Sequence, residues 1–243
     1  MTGENRRLWE ANAPWWIENF TEGVDPEYED QIVPLLKSEV AGGRRILDVG
    51  CGEGQLSRVM AESGADVTGV EVTTAQLDIA SQRRGGARYV QASSDNLPFA
   101  SGTFDTAVVC LVFEHVDLLD ESIAEIARVL EPGGRFCFFL NHPLLQTPGS
   151  GWIDDHIIEP PEQYWRIGAY LVETESIEEV QPGVHIRFVH RPLSVYVNTL
   201  SRHGLTIEAM VEPQPPESFL ARAPEYRLAH TVPRLLYLRT RKQ

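Results

Sequence analysis

The sequence predicts an α/β fold: parallel βαβ units in one doubly wound sheet. Three observations carry this. Between Arg44 and Leu140, short apolar runs alternate with amphipathic ones. The apolar runs are apolar on both alternating faces, which suits strands covered by helices on both sides. The first run ends in a glycine-rich turn, Asp48-Val49-Gly50-Cys51-Gly52-Glu53-Gly54, where open α/β sheets place ligands.

Arg45 to Val49 reads as a buried first strand, and Gln55 to Ser63 as a helix stopped by Gly64. Asp66 to Val70 is the second strand. Thr74 to Arg84 is the second helix, capped by Thr73 or Thr74. Arg88 to Gln91 is a short third strand and Thr106 to Phe113 a fourth. Asp120 to Leu130 has helical spacing at Ile123, Ile126, Ala127 and Leu130, and Pro132-Gly133-Gly134 ends it. Arg135 to Leu140 is the fifth strand. Residues 4 to 40 read as two helices, and residues 142 to 189 as irregular chain rich in aromatics and prolines. Leu193 to His203 reads as a helix closed by Gly204, followed by strands at Leu205 to Val211 and Pro233 to Arg239.

The 243 residues hold 42% hydrophobic residues, ample for a buried core. The first twenty residues lack the pattern of a signal peptide, and no run reaches the roughly 18 apolar residues of a membrane span. Three widely spaced cysteines, Cys51, Cys110 and Cys137, suit cytosolic thiols better than a disulfide framework or a zinc site. The expected location is cytoplasmic. A net charge of −14 argues against a nucleic-acid partner, which needs a basic face.

Alternating glycines between a strand and a helix let a ligand approach the backbone. The second strand ends at Glu71, where a carboxylate can accept both hydroxyls of a ribose. A nicotinamide site is the near rival. Its fingerprint spaces the glycines G-x-G-x-x-G, whereas here the spacing is G-x-G-x-G, with Asp48 before it.

The chain resembles the class I S-adenosylmethionine (SAM)-dependent methyltransferases, in particular the ubiquinone- and menaquinone-methyltransferase-related (type 11) group. The resemblance runs from about Arg44 to Leu140. It rests on ILDVGCGEG (46–54), VTGVEVT (67–73), SSDNLPF (93–99), FDTAVVC (104–110), FEHV (113–116) and LEPGG (130–134). It implies a Rossmann-like, doubly wound, seven-stranded sheet whose last strand is antiparallel, and SAM as cofactor. By the same resemblance Asp48, Gly50 and Gly52 would hold the methionine end, Glu71 the ribose, and Val72 the flank of the adenine, with Cys51 and Trp15 also in the cofactor site. Ser94 and Asp95 would meet the adenine edge, and the carbonyl of Cys110 the ammonium group. Where the family usually has Asp after the third strand, this chain has Ser93, so adenine recognition shifts to Ser93, Asp95 or backbone. Trp15 and Trp16 resemble a lid helix.

On these grounds residues 1–243 form one methyltransferase domain. Residues 1–43 are a helical lid, 44–141 the SAM-binding core, 142–191 an acceptor-side insertion, and 192–243 a C-terminal helix and strands. The expected acceptor is a small molecule methylated on O, N or C. No membrane or nucleic-acid partner is expected, and a homodimer is left open. A general base would be His115, His142 or His190, since histidine is the usual proton acceptor for a phenol, alcohol or amine. Glu114, Trp152, Tyr164 and Arg191 are the expected acceptor contacts: aromatics could wall an apolar pocket, and Arg forks match carboxylates. No metal is expected at Asp154-Asp155-His156, because adjacent side chains rarely converge on one ion. An RNA or protein methyltransferase and a non-catalytic SAM-binding protein are the alternatives.

Overall fold

Ile46-Leu47-Asp48-Val49 shows how the sheet is covered. Side chains alternate across a strand. Leu47 and Val49 therefore join Ala107, Val109, Phe136 and Phe138 in one apolar layer. Ile46 joins Val108, Cys137 and Phe139 in the layer on the other face. The structure is a computed structural model describing residues 3–222, 225–226 and 228–243.

The elements run in order as α1 (Gly3–Phe20), a π-helical turn (Tyr28–Ile32) leading into α2 (Val33–Glu39), β1 (Arg45–Val49), α3 (Gln55–Ala61), β2 (Asp66–Glu71), α4 (Thr74–Arg83) and β3 (Arg88–Gln91). Then come β4 (Phe104–Cys110), a 3-10 turn (Phe113–His115), α5 (Leu119–Val129) and β5 (Leu130–Asn141). Four further strands follow: β6 (Gly151–Asp155), β7 (Glu162–Arg166), β8 (Thr174–Gln181) and β9 (Val184–His190). The chain closes with α6 (Leu193–Arg202), β10 (Leu205–Val211), α7 (Glu217–Leu220) and β11 (Leu235–Lys242).

The main sheet has seven strands in the order β10-β11-β5-β4-β1-β2-β3. Strands β1 to β5 pair in parallel, and β11 lies antiparallel between β5 and β10. The chain winds outward from β1 to β3, then crosses back to β4 on the other side of β1. That reversal opens a crevice at the carboxyl ends of β1 and β4. Helix α5 closes one face with Ile123, Ile126, Ala127 and Val129, all buried. Full burial of such a side chain contributes about 1.5–3 kcal/mol.

Several local expectations are corrected. The fourth strand ends at Cys110. Leu111 turns the chain with φ +54°, and Phe113–His115 forms a 3-10 turn. Pro132-Gly133-Gly134 does not separate helix from strand. It forms a bulge within β5, where the pairing shifts from Phe104↔Leu130 to Thr106↔Arg135. Residues 142–189 are not irregular throughout: they hold two antiparallel hairpins, β6–β7 and β8–β9. No helix among the described residues is long and apolar enough to cross a membrane.

Candidate active site

The turn after β1 is shaped by its glycines. Gly50, Gly52 and Gly54 have φ of +74°, +54° and +82°, a region costly for side chains with a Cβ. A Cβ on Gly50 would lie 2.5 Å from Val112, and one on Gly54 would collide with the Tyr89 hydroxyl. Gly52 differs: the nearest atom to its missing Cβ is the Gln76 amide oxygen, at 3.8 Å. Its outer face is open for a ligand to lie against the backbone.

Glu71 closes the far side of the turn. Its Oε1 accepts the N–H of Val72 (2.8 Å), the N–H of Thr73 (2.9 Å) and the Thr73 hydroxyl (3.1 Å). Its Oε2 accepts the Gly52 N–H at 3.2 Å. These bonds fix the carboxylate and leave Oε2 with a further lone pair. Burial raises the Glu71 carboxyl above its ordinary range, opposed by the donors from Thr73, Val72 and Gly52. Asp48 is buried beneath the turn and accepts the Ser57 hydroxyl of α3 at 2.6 Å. Burial pushes its carboxyl up to about 6, the Ser57 bond working against this.

These residues line a cleft of about 980 Å³, open mouth included. Its floor includes Cys51, Val72, Ser93, Ser94 and Cys110, and Ser94 exchanges a 2.9 Å hydroxyl contact with Ser122 of α5. The roof is α1, which brings Trp9, Trp16 and Phe20, with Tyr28 from the following turn. Trp16 stacks on Phe20 at 4.4 Å between ring centroids and meets Trp9 edge-on at 5.4 Å.

Helix α1 is held across the crevice by polar bonds. Glu10 accepts the N–H groups of Thr74 and Ala75 at 2.8 Å each. The Asn5 amide donates to the His115 carbonyl at 2.5 Å, and that of Asn12 to the His185 carbonyl at 2.7 Å.

His115 faces this cleft. Its Nδ1 lies 2.9 Å from the Arg187 carbonyl on β9. A carbonyl only accepts, so Nδ1 carries the proton and Nε2 keeps the lone pair. Trp9 and Phe188 pack on the ring, each at 4.9 Å. Burial lowers the imidazole to about 4, the Arg187 bond opposing, so it is neutral across the physiological range.

The cleft thus brings together Asp48, Gly50, Cys51, Gly52, Glu71, Val72, Ser93, Ser94, Cys110 and His115. Other expected residues lie elsewhere, each for a definite reason. Trp15 sits one position, about 100° of helix rotation, from Trp16. It turns away from the cleft and donates to Gln181 at 2.7 Å. Asp95 stays outside the lining and accepts the Ser93 hydroxyl. Glu114 is buried behind the 3-10 turn, accepting the Asn141 amide at 2.8 Å.

His142 receives the Leu144 N–H on Nδ1 (3.2 Å) and donates from Nε2 to Glu212 (2.8 Å). His190 donates to the Tyr170 carbonyl at 2.8 Å. Arg191 donates to the carbonyls of Phe113, Val116 and Asp117, so it braces the 3-10 turn and has no fork free for a substrate. Trp152 of the β6–β7 hairpin packs on Trp165 across it and on Tyr226, and Tyr164 in the hairpin is 44% exposed; neither walls the cleft. Asp154 accepts from Gln163 and Asp155 from Ile157.

Sequence reasoning missed Trp9, Phe20, Tyr28 and Gln76 as lining residues. Trp9, Trp16 and Phe20 recur at spacings of seven and four, one helical face, and that signal could have found them.

The site fits the expected cofactor. The open face of Gly52 admits a ligand against backbone, and the buried oxygen of the Gln76 amide has no partner among the described residues. Asp48 and Glu71 offer anionic acceptors for its cationic and hydroxyl groups.

Comparison with known proteins agrees. Residues 47–138 match a family model described as a methyltransferase domain. A malonyl-(acyl-carrier protein) O-methyltransferase of Enterobacter lignolyticus is 35% identical over 94 residues, 39% of this chain and 38% of that protein. A demethylmenaquinone methyltransferase of Tropheryma whipplei is 34% identical over 108 residues, 43% of this chain and 45% of that protein. In both, this chain spans less than half the length of the relative. The crystal structure of a SAM-dependent methyltransferase from Mesorhizobium loti superposes with a TM-score of 0.75 at 29% identity, covering 88% of this chain and 99% of that one. Matched family, strand order and glycine turn agree: residues 47–138 match a methyltransferase domain, and the chain has the class I SAM-dependent methyltransferase fold.

Proposed function

We propose that this protein is a cytoplasmic methyltransferase that moves a methyl group from SAM to a small molecule, on O, N or C. The observation that carries the reading is one cleft holding the open Gly52 face, the Glu71 carboxylate and a neutral His115.

Bound SAM supplies an electrophilic methyl carbon on a positively charged sulfur. The chain's residues do the rest. Glu71 takes ribose hydroxyls on Oε2. Asp48, held by Ser57, offsets positive charge beneath the glycine turn. Ser93 and Ser94 meet the adenine edge, and Val72 its flank. Helix α1 is the lid: Trp9, Trp16 and Phe20 exclude water, which strengthens every charge interaction beneath them. His115 Nε2 accepts the proton that an acceptor hydroxyl or amine gives up. Its low basicity suits a proton that leaves late, from an acceptor atom already gaining positive charge.

The test has two arms. Calorimetric titration with SAM or S-adenosylhomocysteine should give saturable binding. A metabolite-extract screen read out by S-adenosylhomocysteine release should then reveal an acceptor. No nucleoside binding would overturn the reading. Binding with no release on any extract would favour a non-catalytic SAM-binding protein.

A further inference from the structure

We propose that the acceptor is a small aromatic molecule without an anionic group, held against the α1 rings and the turn after β4, and that the cleft rejects acceptors bearing a carboxylate or phosphate. This rests on the methyltransferase reading and narrows its acceptor.

The rings argue for the aromatic part. Trp9, Trp16, Phe20 and Tyr28 line one cleft together with His115 and Val116 of the turn after β4. Trp9 meets both Trp16 and His115 edge-on, at 5.4 and 4.9 Å. An array of edges and faces at such spacing suits another flat ring, because aromatic pairs prefer offset and edge-to-face contacts.

The charges argue against an anionic group. Among the described lining residues, every ionisable carboxyl is anionic in kind: Asp48, Glu53 and Glu71. None is Lys or Arg. Four guanidiniums that bond to lining residues or to the turn after β4 are already engaged. Arg58 and Arg83 pair with Glu53 at 2.8 and 2.5 Å. Arg187 pairs with Asp117 and Glu175, and Arg191 binds three carbonyls. His115 is neutral, with Nδ1 engaged. A carboxylate entering this cleft would lose its water and find no cationic side chain among the described lining residues, which is unfavourable. A neutral ring loses little on the same path.

Calorimetry on the full chain, first saturated with S-adenosylhomocysteine at pH 7, tests this with two probes of one shape: 2-naphthol (neutral) and 2-naphthoate (anionic). The expected result is saturable 2-naphthol binding, with 2-naphthoate at least tenfold weaker. Equal or tighter binding of 2-naphthoate, or no 2-naphthol binding, overturns the proposal. Trp16→Arg places a guanidinium in the wall and should shift the ratio toward 2-naphthoate by tenfold or more. If that variant does not fold, the wild-type ratio decides alone. Failure of S-adenosylhomocysteine to bind in the first step would instead sink the methyltransferase reading, so the two failures are distinct.

Discussion

The Glu10 carboxylate caps a helix it does not belong to: it accepts the N–H groups of Thr74 and Ala75, the first two residues of α4, at 2.8 Å each. Thr73, the residue at the N-cap position, makes no side-chain capping bond of its own. The first turn of α4 therefore depends on α1, and α1 on α4. Loss of such a cap costs about 0.5–2 kcal/mol, and the carboxylate also complements the helix dipole. Glu10→Ala should lower stability by about that amount in denaturant melts. It should also weaken S-adenosylhomocysteine binding severalfold, since α1 roofs the cleft. A variant with lower stability and unchanged affinity would separate the lid from cofactor binding.

Glu71 has a double burden. Three backbone N–H groups and the Thr73 hydroxyl converge on it. Charge-assisted bonds to two ribose hydroxyls would add about 2–4 kcal/mol of binding. Glu71→Ala should thus weaken SAM binding by well over tenfold in calorimetry. Because Gly52 loses its acceptor too, the melting temperature should also fall. Unchanged affinity would remove Glu71 from the ribose site.

The core was legible because its strands are apolar on both faces and its turn chemistry is local: Leu47, Val49 and the three glycines need no distant partner to be read. The insertion was not. Strand β8 is exposed along most of its length, Glu175 and residues 178–181 included, so it carries no core-facing alternation. The surroundings of His142 and His190 were not legible for a related reason. What occupies His142 is Glu212, and what occupies His190 is the Tyr170 carbonyl. Those pairings are made by the fold across distant segments. Trp15 and Trp16 are adjacent in sequence, and only the helix phase, set by Trp9 and Phe20, decides which one faces inward.

His115 gives a pH prediction that differs from that of an ordinary histidine. Burial lowers its imidazole to about 4, so Nε2 is unprotonated from pH 5.5 upward. If the acceptor is a hydroxyl or amine, His115→Ala should cut single-turnover S-adenosylhomocysteine formation by roughly 10²–10⁴-fold. The wild-type rate should show no histidine limb between pH 5.5 and 8. An acidic limb centred near 6.5, or normal turnover in the variant on such an acceptor, would exclude His115 as the base.

Glu114 gives a stability prediction of the opposite sign. It is 3% exposed. Its Oε1 accepts the Asn141 amide, and its Oε2 has no hydrogen-bond partner among the described residues. Burial raises its carboxyl to about 7, with the Asn141 bond opposing. A carboxyl whose folded value lies above its unfolded value holds its proton in the fold while the unfolded chain has released it. Stability is therefore lost as pH rises from about 4.5 through 7, by about 3 kcal/mol at 1.36 kcal/mol per unit. Glu114→Gln removes that loss while its amide oxygen can still accept from Asn141. The variant should match wild type in urea melts at pH 4.5 and exceed it by up to about 3 kcal/mol at pH 8. His115 shifts both proteins alike: its lowered value removes stability as pH falls from 6.5 toward 4. The difference between the two proteins isolates Glu114, and a difference that does not grow with pH would show that its carboxyl ionises freely in the fold.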